Sequence, residues 1–184
     1  MALEHPTVLI LHSSRFGQSI KIADTIARRL SERGAVTTLT ALTVATSPNP
    51  ERFDAVVVVA SVRYGHYDQQ LFRLSRQYGW WLNSIPTLLV TVSLTARKPE
   101  KRDPESHSYT RKLLAGMDWR PGHTEVVAGA LEYPRYTTLD REAIKLIMKI
   151  TDGPTDPSTV VEYTDWDQVK AAADAFADEL LGKR

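Results

Sequence analysis

The sequence contains no cysteine. That excludes disulfides, thiolate nucleophiles, and zinc or iron–sulfur centres held by sulfur. No apolar run approaches the roughly 20 residues needed to span a bilayer, so any membrane contact is expected to be peripheral. The opening residues, Met1–Pro6, lack the basic and apolar pattern of a secretory leader, which is compatible with a cytoplasmic location. Net charge is nearly absent too: 23 lysines and arginines face 22 aspartates and glutamates, and that balance does not call for a nucleic-acid partner. Internal repeats, low-complexity tracts and linkers are missing, and no metal site is expected.

What is present is a globular composition. Of 184 residues, 42% are hydrophobic, enough for one domain with its own core, and we read 1–184 as that domain. Three short valine- and leucine-rich runs stand out: Thr7–His12, Ala55–Ser61 and Thr87–Ser93. Continuous apolar runs of this length suit strands buried on both faces, which belong to parallel sheets. Val36–Ala41 and Glu125–Leu131 complete a set of five. Helical periodicity lies between them, at Ser19–Arg33 (Ile22, Ile26, Leu30, then Gly34 as a stop), Gln69–Asn83, Ser106–Met117 and Asp165–Leu181, where Asp165 suits an N-cap. This alternation predicts an α/β fold, a three-layer sandwich around a five-stranded parallel sheet. Two stretches interrupt it. Leu94–Pro104 is a basic, proline-bearing loop, and roughly 132–162 is an insertion after the fifth strand. Long excursions inside a compact domain are usually functional.

Ligands of such sheets bind beyond the carboxyl ends of the strands, and three loops there carry suggestive chemistry. The first strand runs into Ser13-Ser14-Arg15-Phe16-Gly17-Gln18-Ser19. Hydroxyls surround one glycine at the start of a helix, where free N–H groups and the helix dipole favour an anion. The loop lacks the lysine of a nucleotide triphosphatase and the three glycines of a dinucleotide fold, so a phosphate monoester held without being cleaved fits it better. A polar turn with a serine cap is the alternative. After the third strand, Ser61, Arg63, Tyr64, Gly65, His66 and Tyr67 offer flat side chains on which a ring can stack. After the fourth, Ser93, Leu94, Thr95 and Ala96 offer hydroxyls and backbone amides for the edge of a heterocycle. Each loop alone is ordinary surface, but a phosphate, a stacked ring and edge hydrogen bonds together describe flavin mononucleotide (FMN).

With those residues in view, the chain resembles the flavodoxins, whose hydroxyl-rich phosphate loop matches Ser14–Ser19 in position and length. More narrowly it resembles the flavodoxin-like, quinone-dependent protoporphyrinogen IX dehydrogenase family, through Ser13–Ser19, Ala60–Tyr67, Thr95–Arg102, Ala128–Tyr136, Ile144–Lys149 and Tyr163–Trp166. These segments span almost the whole chain, and the later ones are absent from ordinary flavodoxins. Arg15 and Phe16 depart from the pattern, standing where flavodoxins carry hydroxyl or small residues. The resemblance implies strand order 2-1-3-4-5, bound FMN, oxidation of protoporphyrinogen IX to protoporphyrin IX in heme biosynthesis, menaquinone or ubiquinone as acceptor, and peripheral contact with the inner face of the cell membrane.

Further roles follow on that reading. His66, the histidine of the ring-stacking loop, is a candidate for proton handling, or else a surface or stacking histidine. Arg97, Lys98, Lys101 and Arg102, with Arg111 and Lys112 beyond, can take the substrate's propionates or anionic headgroups, or be a solvated loop. Asp140–Ile150 reads as a helix with Ala143, Ile144, Ile147 and Met148 apolar and Arg141, Lys145 and Lys149 on one face; Tyr133, Arg135 and Tyr136 precede it. That segment suits a membrane interface, a substrate groove, or plain packing on the domain. Trp80 and Trp81 fit core, interface or lipid equally, and homo-oligomer formation stays open. Two other functions compete. A flavodoxin-type electron carrier tends to be strongly acidic, unlike this chain, and an NAD(P)H:quinone reductase stays open, since no nicotinamide fingerprint is visible but such enzymes can lack one.

Overall fold

The computed structural model describes residues 4–14 and 16–182. Five parallel strands form one sheet: β1 (Thr7–Ser13), β2 (Val36–Ala41), β3 (Ala55–Ser61), β4 (Thr87–Ser93) and β5 (His123–Ala128), in the order β2-β1-β3-β4-β5. The expected order is thus present. Three helices connect strands, α1 (Gln18–Glu32), α2 (Gln69–Leu82) and α3 (Ser108–Gly116). In the excursion after β5 lie β6 (Ala130–Glu132), α4 (Thr138–Ile150) and β7 (Val160–Glu162), and α5 (Trp166–Leu180) follows.

Residues Ala55 to Ala60 of β3 are all fully buried, so helices cover both faces of the sheet. Successive strand residues point to opposite faces, and the core divides accordingly. Val57 and Val59 join Val8, Ile10, Leu88 and Val90 against Ile22, Ile26 and Leu30 of α1 and Val169, Phe176 and Leu180 of α5. Val56 and Val58 join Leu9, Leu11 and Leu89 against Leu71, Leu74 and Leu82 of α2 and Leu113 of α3. Emptying either layer is costly: truncating a buried phenylalanine such as Phe176 to alanine costs about 3–5 kcal/mol.

The helix ends follow local chemistry. Gly34, at φ +100°, ends α1: its N–H donates to Ser31 O at 3.0 Å and Ala35 N–H donates to Leu30 O at 3.0 Å. Asp165 caps α5 by accepting from Gln168 N–H at 3.1 Å. Helix α3 starts two residues later than its periodicity suggests, because the His107 imidazole accepts from Thr110 N–H at 3.3 Å and serves as the cap.

Two expectations are corrected. The fifth strand does not continue to Leu131. It stops at Ala128, and after Gly129 the chain leaves the sheet to pair β6 antiparallel with β7, Leu131 opposite Val161. Leu131 is buried with Tyr133, Tyr136 and Met148 in a small core of the excursion itself. The basic loop after β4 is also folded, as two 3₁₀ turns at Leu94–Arg97 and Pro99–Lys101.

Candidate functional site

At the carboxyl ends of β1, β3 and β4, the loops that follow these strands and the excursion enclose a cleft. It holds about 870 Å³ of space, mouth included, within the range of small-molecule sites. It sits where the strand order reverses on either side of β1.

The first loop contributes Ser14, Phe16, Gln18 and Ser19. Ser14 Oγ accepts from Gly17 N–H at 3.0 Å, and Gly17 O accepts from Ile20 and Lys21 N–H at 3.1 Å each. Gly17 takes φ +97° to join strand to helix so abruptly, a conformation that costs other residues a clash at Cβ. Ser19, in the first turn of α1, is buried with its hydroxyl unpartnered. Gln18 Nε2 donates to Thr164 Oγ1 at 2.8 Å while its Oε1 is buried without a partner. Buried polar atoms without partners are rare in native folds and mark places where a ligand supplies the missing bond. Ser13 differs from expectation. Its hydroxyl turns away from the cleft to donate to Asp68 Oδ2 at 3.0 Å, so fewer loop hydroxyls face an anion. Arg15 lies outside the described residues. The Arg135 guanidinium stands nearby, for a Cβ added at Gly17 would lie 3.9 Å from its Nη2, while its Nη1 pairs with Glu132 at 2.6 Å.

The second loop contributes Ser61, Val62, Arg63, Tyr64 and Gly65. Arg63 and His66 exchange two backbone hydrogen bonds, 2.7 and 2.9 Å, across a tight turn with Tyr64 at φ +49° and Gly65 at φ +78°. This is the geometry of a type I′ turn, which a tyrosine adopts only under constraint. The constraint is visible. Tyr64 O–H donates to Asp140 Oδ1, Arg63 Nη2 donates to the same oxygen at 3.0 Å, and the Arg63 guanidinium lies 4.7 Å from the Tyr64 ring centroid. His66 is carried to the outer side of the turn, exposed and away from the cleft lining. Tyr67 packs inward, where burial pushes its phenol up to about 12.

Val92, Ser93, Leu94 and Thr95 form the third wall, joined by Tyr109. Ala96 is buried beneath, against Val126 and Ala128. The roof comes from the excursion: Gly129, Ala130, Tyr136, Asp140, Ile144 and Ile147. Tyr136 and Phe16 meet at 4.6 Å between ring centroids.

Several basic residues expected at the substrate are committed elsewhere. Arg97 Nη1 donates to Leu94 O at 3.0 Å and Nη2 to Thr151 Oγ1 at 3.1 Å, tying the β4 loop to the end of α4. Arg102 donates to Ala96 O at 3.1 Å and pairs with Asp165 at 3.2 Å. Lys98 faces Asp152 at 3.5 Å, and Lys101 is exposed. Tyr133 is core, its O–H donating to Pro154 O at 2.9 Å. Arg141 reaches Tyr136 O at 3.4 Å, Lys145 pairs with Glu142 at 3.2 Å, and Lys149 is exposed. The outward face of α4 also carries Leu139, Leu146 and Ile150, exposed at 79%, 60% and 73%. Sequence reasoning named the basic residues of this helix and missed these three, as well as Asp140 and Tyr109. No helix among the described residues is long and apolar enough to cross a membrane.

Comparison with known proteins is consistent across the chain. The flavodoxin domain family matches residues 9–158. The chain is 46% identical over 161 residues to the protoporphyrinogen IX dehydrogenase (quinone) of Escherichia coli, covering 88% of this chain and 89% of that one. It is 38% identical over 178 residues to the protein of the same name from Leishmania major, covering 96% and 77%. A solved flavodoxin from Streptococcus pneumoniae superposes with a TM-score of 0.52 at 13% identity, over 97% and 99% of the two chains, a likeness of fold. A flavodoxin domain indicates a flavin, and the cleft fits one. It has an unpartnered buried hydroxyl at a helix N-terminus, and its walls beyond that point combine aromatic and apolar side chains with the hydroxyls of Ser93 and Thr95.

Proposed function

We propose, for a chain that belongs to the flavodoxin family and within it to the protoporphyrinogen IX dehydrogenases, that it holds FMN in this cleft and oxidises protoporphyrinogen IX to protoporphyrin IX with a quinone as acceptor, in heme biosynthesis. The observation that carries the reading is Ser19, whose buried, unpartnered hydroxyl lies in the first turn of α1 and calls for an acceptor such as the FMN phosphate. Ser14 shapes the loop from within, and the Arg135 guanidinium, ion-paired with Glu132 at 2.6 Å, lies beside it.

Bound flavin supplies the two-electron chemistry, and the protein's own residues bind, orient and exclude water. Tyr64, held by Asp140, would offer the ring a flat face. Ser93 and Thr95 would hold its polar edge by hydrogen bonds. Ile144, Ile147, Tyr136 and Phe16 provide apolar surface where a tetrapyrrole can lie against the ring. His66 faces outward and is not given a proton-handling role. The propionates are left to Lys101, Arg111 and Lys112, because Arg97 and Arg102 are engaged in the fold.

A lipid-soluble acceptor needs access from a membrane. We place that contact on the outward face of α4, where Leu139, Leu146 and Ile150 stand beside Lys149, and assign the protein to the inner face of the cell membrane as a peripheral partner. The test is a visible spectrum of the purified protein with FMN, followed by anaerobic addition of protoporphyrinogen IX. Flavin bands that bleach while porphyrin fluorescence grows support the reading. A flavin that binds and stays oxidised favours an electron carrier or a nicotinamide-driven quinone reductase. Absence of flavin binding overturns the site.

A further inference from the structure

Behind the third wall of the cleft lies a buried histidine that the proposed function does not use. His107 is 1% exposed. Its Nδ1 accepts from Thr110 N–H at 3.3 Å and lies 2.8 Å from Thr110 Oγ1. Its Nε2 lies 3.0 Å from Thr95 Oγ1, and Thr95 Oγ1 lies 2.8 Å from Ser93 Oγ. Ser93 and Thr95 line the cleft.

The backbone fixes the direction of this chain. A backbone N–H only donates, so the Nδ1 that caps α3 must be the bare nitrogen of a neutral ring. The proton then sits on Nε2, and Thr95 Oγ1 must accept it. Thr95 therefore has its own proton to give. It passes it to Ser93, which then donates onward, or it donates itself while accepting from Ser93. In either arrangement one hydroxyl proton is left over. No other acceptor for it is found among the described residues, and the space it faces is the cleft. Burial and the neighbouring Lys101 both hold the imidazole below its ordinary titration range, so the neutral ring that this arrangement requires is the stable one.

We propose that His107 is a positioning residue that fixes the Ser93–Thr95 pair as a hydrogen-bond donor toward an acceptor on the flavin ring edge. This rests on the flavin reading above. A donor aimed at a ring edge favours the electron-rich reduced ring over the oxidised one, so it raises the reduction potential of the bound flavin.

Two measurements test it, one without flavin. In the ligand-free protein, ¹⁵N chemical shifts of the His107 ring at pH 7.5 should show a bare Nδ1 and a protonated Nε2. The opposite tautomer overturns the proposal whatever the flavin does. In the loaded protein, His107→Asn keeps a side-chain oxygen to cap α3 and removes the Nε2 donor. Relative to wild type, the reduced-to-oxidised affinity ratio should fall about tenfold, which for a two-electron couple is about 30 mV in the midpoint potential. Thr95→Val should move the potential in the same direction. An unchanged potential in both folded variants overturns the proposal. Wild-type protein that takes up no flavin would instead sink the proposed function and leave the tautomer result standing by itself.

Discussion

Asp140, in the first turn of α4, and Arg63, in the turn after β3, meet at 3.0 Å across 77 residues of sequence. Asp140 is 2% exposed, and its second oxygen accepts from Thr137 Oγ1 at 2.7 Å. Its first oxygen also takes Tyr64 O–H, so one carboxylate ties the roof of the cleft to the wall that carries its flat side chain. Asp140→Ala leaves the Tyr64 hydroxyl and the Arg63 guanidinium without this acceptor and opens a small void. We expect a loss of about 1–3 kcal/mol in urea unfolding. A larger effect is expected on kcat/KM, at least tenfold, with flavin content preserved. Arg63→Ala should cost less stability, because the arginine is half in solvent.

Ser19→Ala separates binding from folding. The hydroxyl is buried without a partner, so its removal should leave the ligand-free protein as stable or slightly more so. FMN affinity should drop about tenfold, near 1.4 kcal/mol, while affinity for riboflavin, which lacks the phosphate, stays the same. Fluorescence titration reads both. Arg135→Ala should act on FMN alone as well, more weakly, and its effect should vanish at high salt because the side chain is mostly exposed.

The outward face of α4 predicts a split by acceptor. Replacing Leu139, Leu146 and Ile150 together by serine removes exposed apolar surface and should leave the melting temperature within about 5 °C of wild type. Turnover with a short-chain, water-soluble quinone should be unchanged. Turnover with a long-chain quinone in anionic vesicles, and co-sedimentation with those vesicles, should both fall. Equal loss with either acceptor would place this face in the substrate site instead.

Acid should loosen the contact between α1 and α5. Hydrogen bonds from Arg29, then from Arg33, hold the Asp174 carboxyl below the usual carboxylate range. A depressed carboxylate stabilises the fold fully above its unfolded value, about 3.9, and loses that contribution as pH falls through its folded value. Unfolding at pH 3 compared with pH 6 should therefore show a smaller stability difference in Asp174→Asn than in wild type. The difference is modest, since the group is partly solvated.

The sheet was legible in the sequence because its inner strands are buried on both faces, and such strands advertise themselves as unbroken valine and leucine. Helix positions followed from periodicity to within two residues. What escaped was set by contacts between distant segments. Asp140 reads only as the start of a helix; Thr137 caps that helix, its Oγ1 accepting from Asp140 N–H at 3.2 Å. Nothing in the sequence there says that the Asp140 carboxylate also meets Tyr64 and Arg63. Arg97 and Arg102 read as a basic loop free to meet a substrate or solvent because their acceptors, Thr151 and Asp165, lie more than fifty residues on. His66 and Ser13 belong to loops that border the cleft, but their side-chain directions are decided by the Arg63–His66 turn and by Asp68, neither of which has a sequence signature. The exposed leucines of α4 were hidden by an apolar pattern that runs around much of the helix.

The short pairing of β6 with β7 has a consequence for how such a protein can arise. Ala130 faces Glu162 and Glu132 faces Val160, so the excursion departs and returns at nearly the same point. Its own small core, Leu131, Tyr133, Tyr136 and Met148, is separate from the two layers that hold the sheet. An ancestor could therefore acquire the entire roof in a single graft, splicing it where a simple hairpin would close. Every strand of the older framework would keep its register.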